Sequence, residues 1–246
     1  MASVMETRDY ANFDPYWYIE NTVDDDVIED LDSLHRIFEE CKIQGKRLLD
    51  IGTGPTIYSV ITASNHVDEI FLSDYAPQNL QYLEKWRKGE IASSKMLFDH
   101  VINLEGRPMT PEQRENEVRE KVKGILPIDV TLEKPLGCDY DGAKFDVIVS
   151  TLCLDEAVQH VAELEQTMKN VSGLLNEGGF IIISCDFGAT FYRVGEYKYT
   201  GVSFTIEEVK SAVVQAGFDV KLYIEIPNNA DENWDAEGYY YLVATK

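Results

Sequence analysis

The residues best placed for chemistry sit at the ends of apolar runs. In "KRLLDIGTGPTIYSVITA", residues 46–63, one such run ends at Asp50 and breaks into a turn that holds Gly52 and Gly54. Two glycines let a backbone approach a ligand closely and adopt dihedrals closed to other residues. Asp74 ends the next run, 22 residues after Gly52, where a carboxylate can accept hydrogen bonds from both hydroxyls of a ribose. Asp129, Thr151, Asp155 and Asp186 close later runs in the same way. In an open parallel sheet the ligand crevice lies beyond the carboxyl ends of the strands, so these side chains would share one edge. Any one of them alone reads better as a turn or helix cap than as a ligand group. A series along one edge reads as a binding site.

The turn is not a dinucleotide fingerprint. That pattern, G-x-G-x-x-G, needs a third glycine where this chain has Ile57. Pro55 also removes an amide from the place where a pyrophosphate would be gripped. The implied ligand is a nucleoside with ribose hydroxyls, no phosphate and a positive group that tolerates carboxylates. S-adenosyl-L-methionine has those features.

Helices and strands must hold these positions. Residues 27–42 space Val27, Leu31, Leu34, Phe38 and Cys41 as a helix, with aspartates at 24–26 as its cap. Strands are expected at 47–51, 67–74, 124–130, 144–151, 180–186, 218–226 and 238–245. Helices are expected at 55–65, 76–89, about 155–175 and 205–216, with Pro55 in the first turn of its helix. On the strand at 144–151, Val147 and Val149 should share one face and Ile148 the other. Alternating strands and helices argue for a parallel sheet covered on both faces, and the last two strands for an antiparallel hairpin. The expected fold is α/β: a Rossmann-like, doubly wound, mostly parallel sheet of seven strands ending in that hairpin, all in one domain over 1–246. Residues 105–123 interrupt the alternation. They open a charged helix with the capping pattern Thr110-Pro111-Glu112-Gln113 and read as a solvated surface insertion.

Composition narrows the partners. With 22 Lys and Arg against 44 Asp and Glu, the chain carries a formal charge of −22. Such a field repels phosphate backbones and anionic lipid, which disfavours nucleic acid and membrane surfaces. Cys41, Cys138, Cys153 and Cys185 are scattered without a CxxC pair or a nearby His cluster. They suggest free thiols in a reducing, cytoplasmic compartment and no metal. No secretory signal is apparent, and the longest apolar runs fall far short of a membrane span.

Four blocks, "DIGTGPTIY" (50–58), "SDYAPQNLQYLEKW" (73–86), "STLCLD" (150–155) and "GGFIIISCD" (178–186), resemble the nicotinamide, phenylethanolamine and indolethylamine N-methyltransferase family. The likeness runs from about residue 12 almost to the end, in the same block order, and is nearest the nicotinamide branch. It implies a monomeric enzyme using S-adenosyl-L-methionine, leaving S-adenosyl-L-homocysteine, with residues 1–45 as a helical lid. It implies that Gly52, Gly54, Tyr58, Asp74, Tyr75, Asn79, Asp129, Val130 and Thr151 hold the donor. Asp74 would take the ribose, Tyr75 the adenine face, and Asp129 with Val130 the adenine edge. Tyr18 would fold over the donor and border the acceptor. Asp186 would bind the acceptor, beside Leu152, Phe187, Tyr192 and Gly201. The chain departs from the nicotinamide pattern at Phe187, where that branch has a small residue, at Gly201, where it has a serine, and at Val23, where it has a tyrosine.

The expected reaction is methyl transfer to a pyridine nitrogen such as that of nicotinamide. No second acidic residue stands near Asp186 in sequence to take a proton from an alkylamine, which makes an arylalkylamine the alternative. A donor-binding protein without catalysis, or an NAD-binding oxidoreductase, is the reading from another class; no hydride-transfer pair can be placed for the latter.

Overall fold

The computed structural model describes residues 5–22, 25–140, 142–227 and 233–246. Val23 and the cap expected from aspartates 24–26 lie outside what is described.

Met5–Thr7 forms a short strand, β1, and Pro15–Thr22 a helix, α1. Helix α2 (Asp25–Glu40) follows and buries Val27, Leu31, Leu34 and Phe38, as their spacing predicts; Cys41 is half-buried. Strand β2 (Gly45–Ile51) leads through the glycine turn into a short helix, α3 (Tyr58–Ile61). Strand β3 (Val67–Asp74) matches its predicted bounds. Three helices come next, α4 (Pro77–Arg87), α5 (Lys95–Glu105) and α6 (Pro111–Lys121), then strand β4 (Val122–Pro127). Strand β5 (Phe145–Thr151), helix α7 (Val161–Ser172) and the long strand β6 (Leu175–Phe187) continue the alternation. A hairpin of β7 (Phe191–Val194) and β8 (Tyr197–Thr200) precedes helix α8 (Ile206–Gln215). Strands β9 (Asp219–Pro227) and β10 (Gly238–Thr245) finish the chain.

Seven strands form one sheet in the order β4-β3-β2-β5-β6-β10-β9. The first five are parallel, and β10 runs antiparallel to both β6 and β9. The chain reverses its direction of winding between β2 and β5, and a crevice opens there beyond the strand ends. Val147 and Val149 join the apolar cluster under α2, whereas Ile148 faces Leu164 and Val209 on the opposite layer. Strand alternation thus divides the core as expected.

The structure corrects three boundaries and the exposure expected of one segment. The helix expected at 55–65 begins only at Tyr58 and gives way to one tight turn, Ala63–Asn65. The amides of Gly52 and Thr53 both donate to Ser73 O at 2.9 Å, so the turn is tied to β3 and Pro55 stays outside the helix. The helix expected from 155 begins at Val161, because residues 153–160 make a turn of their own, with Ala157 N bonded to Cys153 O at 3.1 Å. Strand β4 ends at Pro127, which leaves Asp129 in the following loop, where its carboxylate caps Thr131 N at 3.0 Å. The charged stretch at 105–123 is no solvated insertion. Its capping box forms as predicted, but Arg114, Glu115 and Val118 are buried, and Arg114 Nη2 meets Glu105 Oε1 at 2.8 Å. Charges at that spacing look solvated in sequence because their partners lie on other elements.

A second sheet was absent from the sequence reading. Strand β1 pairs in parallel with β8, Met5 opposite Tyr197, and β8 pairs with β7. Phe13 and Tyr18, from the segment expected to form a lid, pack with Tyr199 and Val194 of this sheet.

Candidate active site

The glycine turn is built by two constraints. Gly52 has φ +72°, and a Cβ there would stand 2.2 Å from Cys153 Sγ, so any side chain is excluded by backbone and neighbour alike. Gly54, at φ +63°, turns its amide onto Asp74 Oδ2 at 2.7 Å. Ala76 N and Asn79 Nδ2 reach Asp74 Oδ1 at 2.8 and 3.2 Å. Three donors therefore fix this carboxyl at the end of β3, though burial still raises its proton affinity above the usual carboxylate range. Behind the turn, Asp50 accepts from Ser59 Oγ at 2.8 Å, and burial pushes its carboxyl up to about 7.

The turn forms one wall of a cavity of about 500 Å³. Thr151 lies where β5 enters it, and Leu152 then turns at φ +50°, a left-handed conformation that a non-glycine residue adopts at a cost of about 1 kcal/mol or more. Asp129 and Val130 line the far side, and Tyr75, 63% exposed, stands at the rim with its ring edge-on to Tyr10. Tyr10 stacks on Tyr199 at 5.2 Å, Tyr199 stacks on Tyr192 at 5.2 Å, and Tyr192 OH donates to Tyr10 OH at 3.3 Å. The second sheet thus supplies an aromatic roof.

Asp186 opens into the same cavity from the end of β6. Trp234 Nε1 donates to its Oδ2 at 2.9 Å, while Oδ1 is buried without a hydrogen-bond partner among the described residues. Burial, and then the neighbouring Asp155, hold this carboxyl well above the usual range. Asp155 points inward to cap Asp186 N at 3.2 Å and is raised to about 6 by burial. Glu156 faces the cavity, pushed up to about 8 chiefly by burial, with Asp155 reinforcing the shift and Arg8 opposing it.

Nearly every residue expected from the sequence meets here. Tyr18, Gly52, Gly54, Tyr58, Asp74, Tyr75, Asn79, Asp129, Val130, Thr151, Leu152, Asp186 and Tyr192 all line the cavity. Two do not. Phe187 follows Asp186 on a strand and so faces the other way, into the apolar layer with Tyr240. Gly201 lies behind Glu156 rather than in the lining. Sequence reasoning missed Glu156, whose signal was its place beside Asp155 at a strand end, and it found no second acid near Asp186; the turn at 153–160 supplies one. It also missed Tyr10, Tyr199 and Trp234, which sit in segments without periodicity.

The model of the NNMT/PNMT/TEMT family matches residues 5–246. The chain belongs to this family. It is 35% identical over 219 residues to human nicotinamide N-methyltransferase, covering 88% of this chain and 83% of that one. Human phenylethanolamine N-methyltransferase is 29% identical, over 87% of this chain and 78% of its own. Among solved structures, the N-methyltransferase NodS from Bradyrhizobium japonicum WM9, in complex with S-adenosyl-L-homocysteine, superposes with a TM-score of 0.56 at 13% identity, covering 97% and 95% of the two chains. That likeness concerns the fold. Family membership makes the chain an S-adenosylmethionine-dependent N-methyltransferase acting on small molecules.

Proposed function

We propose that the chain methylates the ring nitrogen of a pyridine, with nicotinamide as the model acceptor. The observation that carries this reading is Asp186: a buried carboxyl with one oxygen tied to Trp234 and the other unpartnered, opening into the cavity that the glycine turn walls on another side. A flat ring with one hydrogen-bonding arm suits that arrangement. The aromatic roof of Tyr10, Tyr192 and Tyr199 supplies stacking surface and excludes water.

The cavity residues suit the donor. Asp74 retains lone pairs for the ribose hydroxyls after its three protein contacts, and Tyr75 can cover the adenine. Gly54, where a Cβ would meet nothing within 4 Å, leaves room for the amino-acid tail, and no phosphate grip is required of Pro55. When bound, the donor supplies a methyl group already activated by its sulfonium. The protein's part is alignment: Asp186 orients the acceptor through its arm, and Tyr18 with the roof holds the ring plane. A pyridine nitrogen is largely unprotonated at neutral pH, so no group has to remove a proton before attack.

An arylalkylamine is the second reading, and Glu156 is the observation that favours it, since a second carboxyl could take the proton such an amine must lose. Incubation with labelled donor and a mixed pool of pyridines and amines, followed by mass spectrometry, decides between them. Label on a ring nitrogen supports the proposal. Label only on chain nitrogens refutes it. The free thiols of Cys41, Cys138, Cys153 and Cys185 support a reducing compartment, and we place the enzyme in the cytoplasm.

A further inference from the structure

Gly201 follows β8 and donates its amide to Thr190 O at 2.9 Å. Its backbone does not adopt the left-handed conformation that demands glycine. The space beside it is taken by Glu156: a Cβ at 201 would lie 2.7 Å from Oε1 and 2.9 Å from Oε2, so a side chain there requires the carboxyl to move. The carboxyl of Glu156 fills the space that a residue at 201 would use, and the two positions form one unit.

That carboxyl lines the cavity together with Asp186, and it accepts no hydrogen bond from the described residues. Burial raises its proton affinity most, Asp155 and Asp235 raise it further, and Arg8 lowers it. Asp186 feels Glu156 and Asp155 in turn. Two buried carboxyls that repel each other are relieved by a proton or by a bound cation. When both carboxyls are ionised, a neutral carboxamide suits the pair less well, because its carbonyl oxygen would meet a second acceptor. An ammonium brings only donors and a compensating charge.

Resting on the pyridine reading above, we propose that Glu156, admitted by Gly201, determines specificity: with Asp186 it receives a positively charged arm on the heteroaromatic acceptor. An aminoalkyl or amidine substituent is therefore preferred to a carboxamide. Methyl transfer still occurs at the ring nitrogen, whose lone pair forms the new N–C bond as the C–S pair returns to sulfur.

The test compares nicotinamide with its aminomethyl analogue in the full-length enzyme, with label position read by mass spectrometry and donor affinity by calorimetry. The wild type should favour the aminomethyl compound by about tenfold or more in kcat/KM, the scale of one charge-assisted contact. Glu156→Gln should lower that ratio by about tenfold, and Gly201→Ser should lower it in the same direction by displacing the carboxyl. A general loss of structure would depress both acceptors and leave the ratio alone, so the ratio reports the arm. A wild-type preference for nicotinamide, or a ratio unmoved in both variants, overturns the inference while the pyridine reading stands. Donor binding with neither ring nitrogen methylated overturns that reading, and this inference with it.

Discussion

Asp186 and Asp74 are both carboxyls at strand ends, yet the surroundings give them different tasks. Asp74 has both oxygens held by Gly54, Ala76 and Asn79, whereas Asp186 keeps one oxygen without a partner among the described residues. Replacing Asp186 with Ala should lower turnover by about 100-fold or more, because misplacement of an acceptor by a fraction of its size costs that much. Donor affinity should stay within a few-fold, measured by calorimetry beside single-turnover kinetics; an equal loss of donor binding would put Asp186 on the donor's side of the cavity. The same cluster sets a pH dependence. Glu156 and Asp155, at about 8 and about 6, hold protons in the folded chain that they release near their ordinary values of 4.5 and 3.8 when unfolded. The folded state therefore binds more protons, and its stability must fall as pH rises from about 4.5 to about 8. Thermal melts across that window should show the decline, and Glu156→Gln should flatten it. The strand-end rule made Asp74, Thr151 and Asp186 readable from residue types alone. Phe187 was misplaced although alternation along a strand already turned it away from Asp186. Glu156 was hidden by the helix expected from residue 155.

Elements were legible where their own residues decided the outcome. Strand β3 and the apolar stripe of α2 follow from local periodicity, and the box at Thr110 and Gln113 from a four-residue pattern. The lengths of α3 and α7 were not legible, because Ser73 O and the turn after Cys153 compete for the chain from elsewhere. Helix α6 shows the same limit for charge. Arg114 donates to Ser64 Oγ at 2.9 Å, Ile61 O at 2.7 Å and the Glu105 carboxylate at 2.8 Å, all contributed by other segments. Arg114→Ala would strip the arginine's bonds from Glu105, whose side chain is only 4% exposed, leaving it Asn65 Nδ2 at 2.6 Å and Arg107 Nη1 at 3.6 Å. The expected loss of stability is about 3–5 kcal/mol, read from urea unfolding. A solvated insertion would lose about 0.5 kcal/mol at most.

At the scale of the molecule, the mostly parallel sheet of seven strands with its antiparallel final pair is the part most legible in the sequence, because alternation and a short final link admit few topologies. The second sheet was invisible. A three-residue strand carries no periodicity, and its partner lies almost 200 positions away, Met5 against Tyr197. Tyr10 and Tyr18 of residues 5–22 line the cavity, so closure of this segment over ligands can be tested directly. Limited proteolysis should cut this segment in the free enzyme and spare it with donor and product analogue bound; equal cutting would make it a fixed wall. The pairing of β1 with β8 also bears on biosynthesis. Strand β1 must wait for a partner made almost 200 residues later, so a nascent chain stopped before Tyr197 would present an unroofed trough with Tyr10 lacking its stacking partner. Capture of cosubstrate should thereby be postponed until β8 has been made.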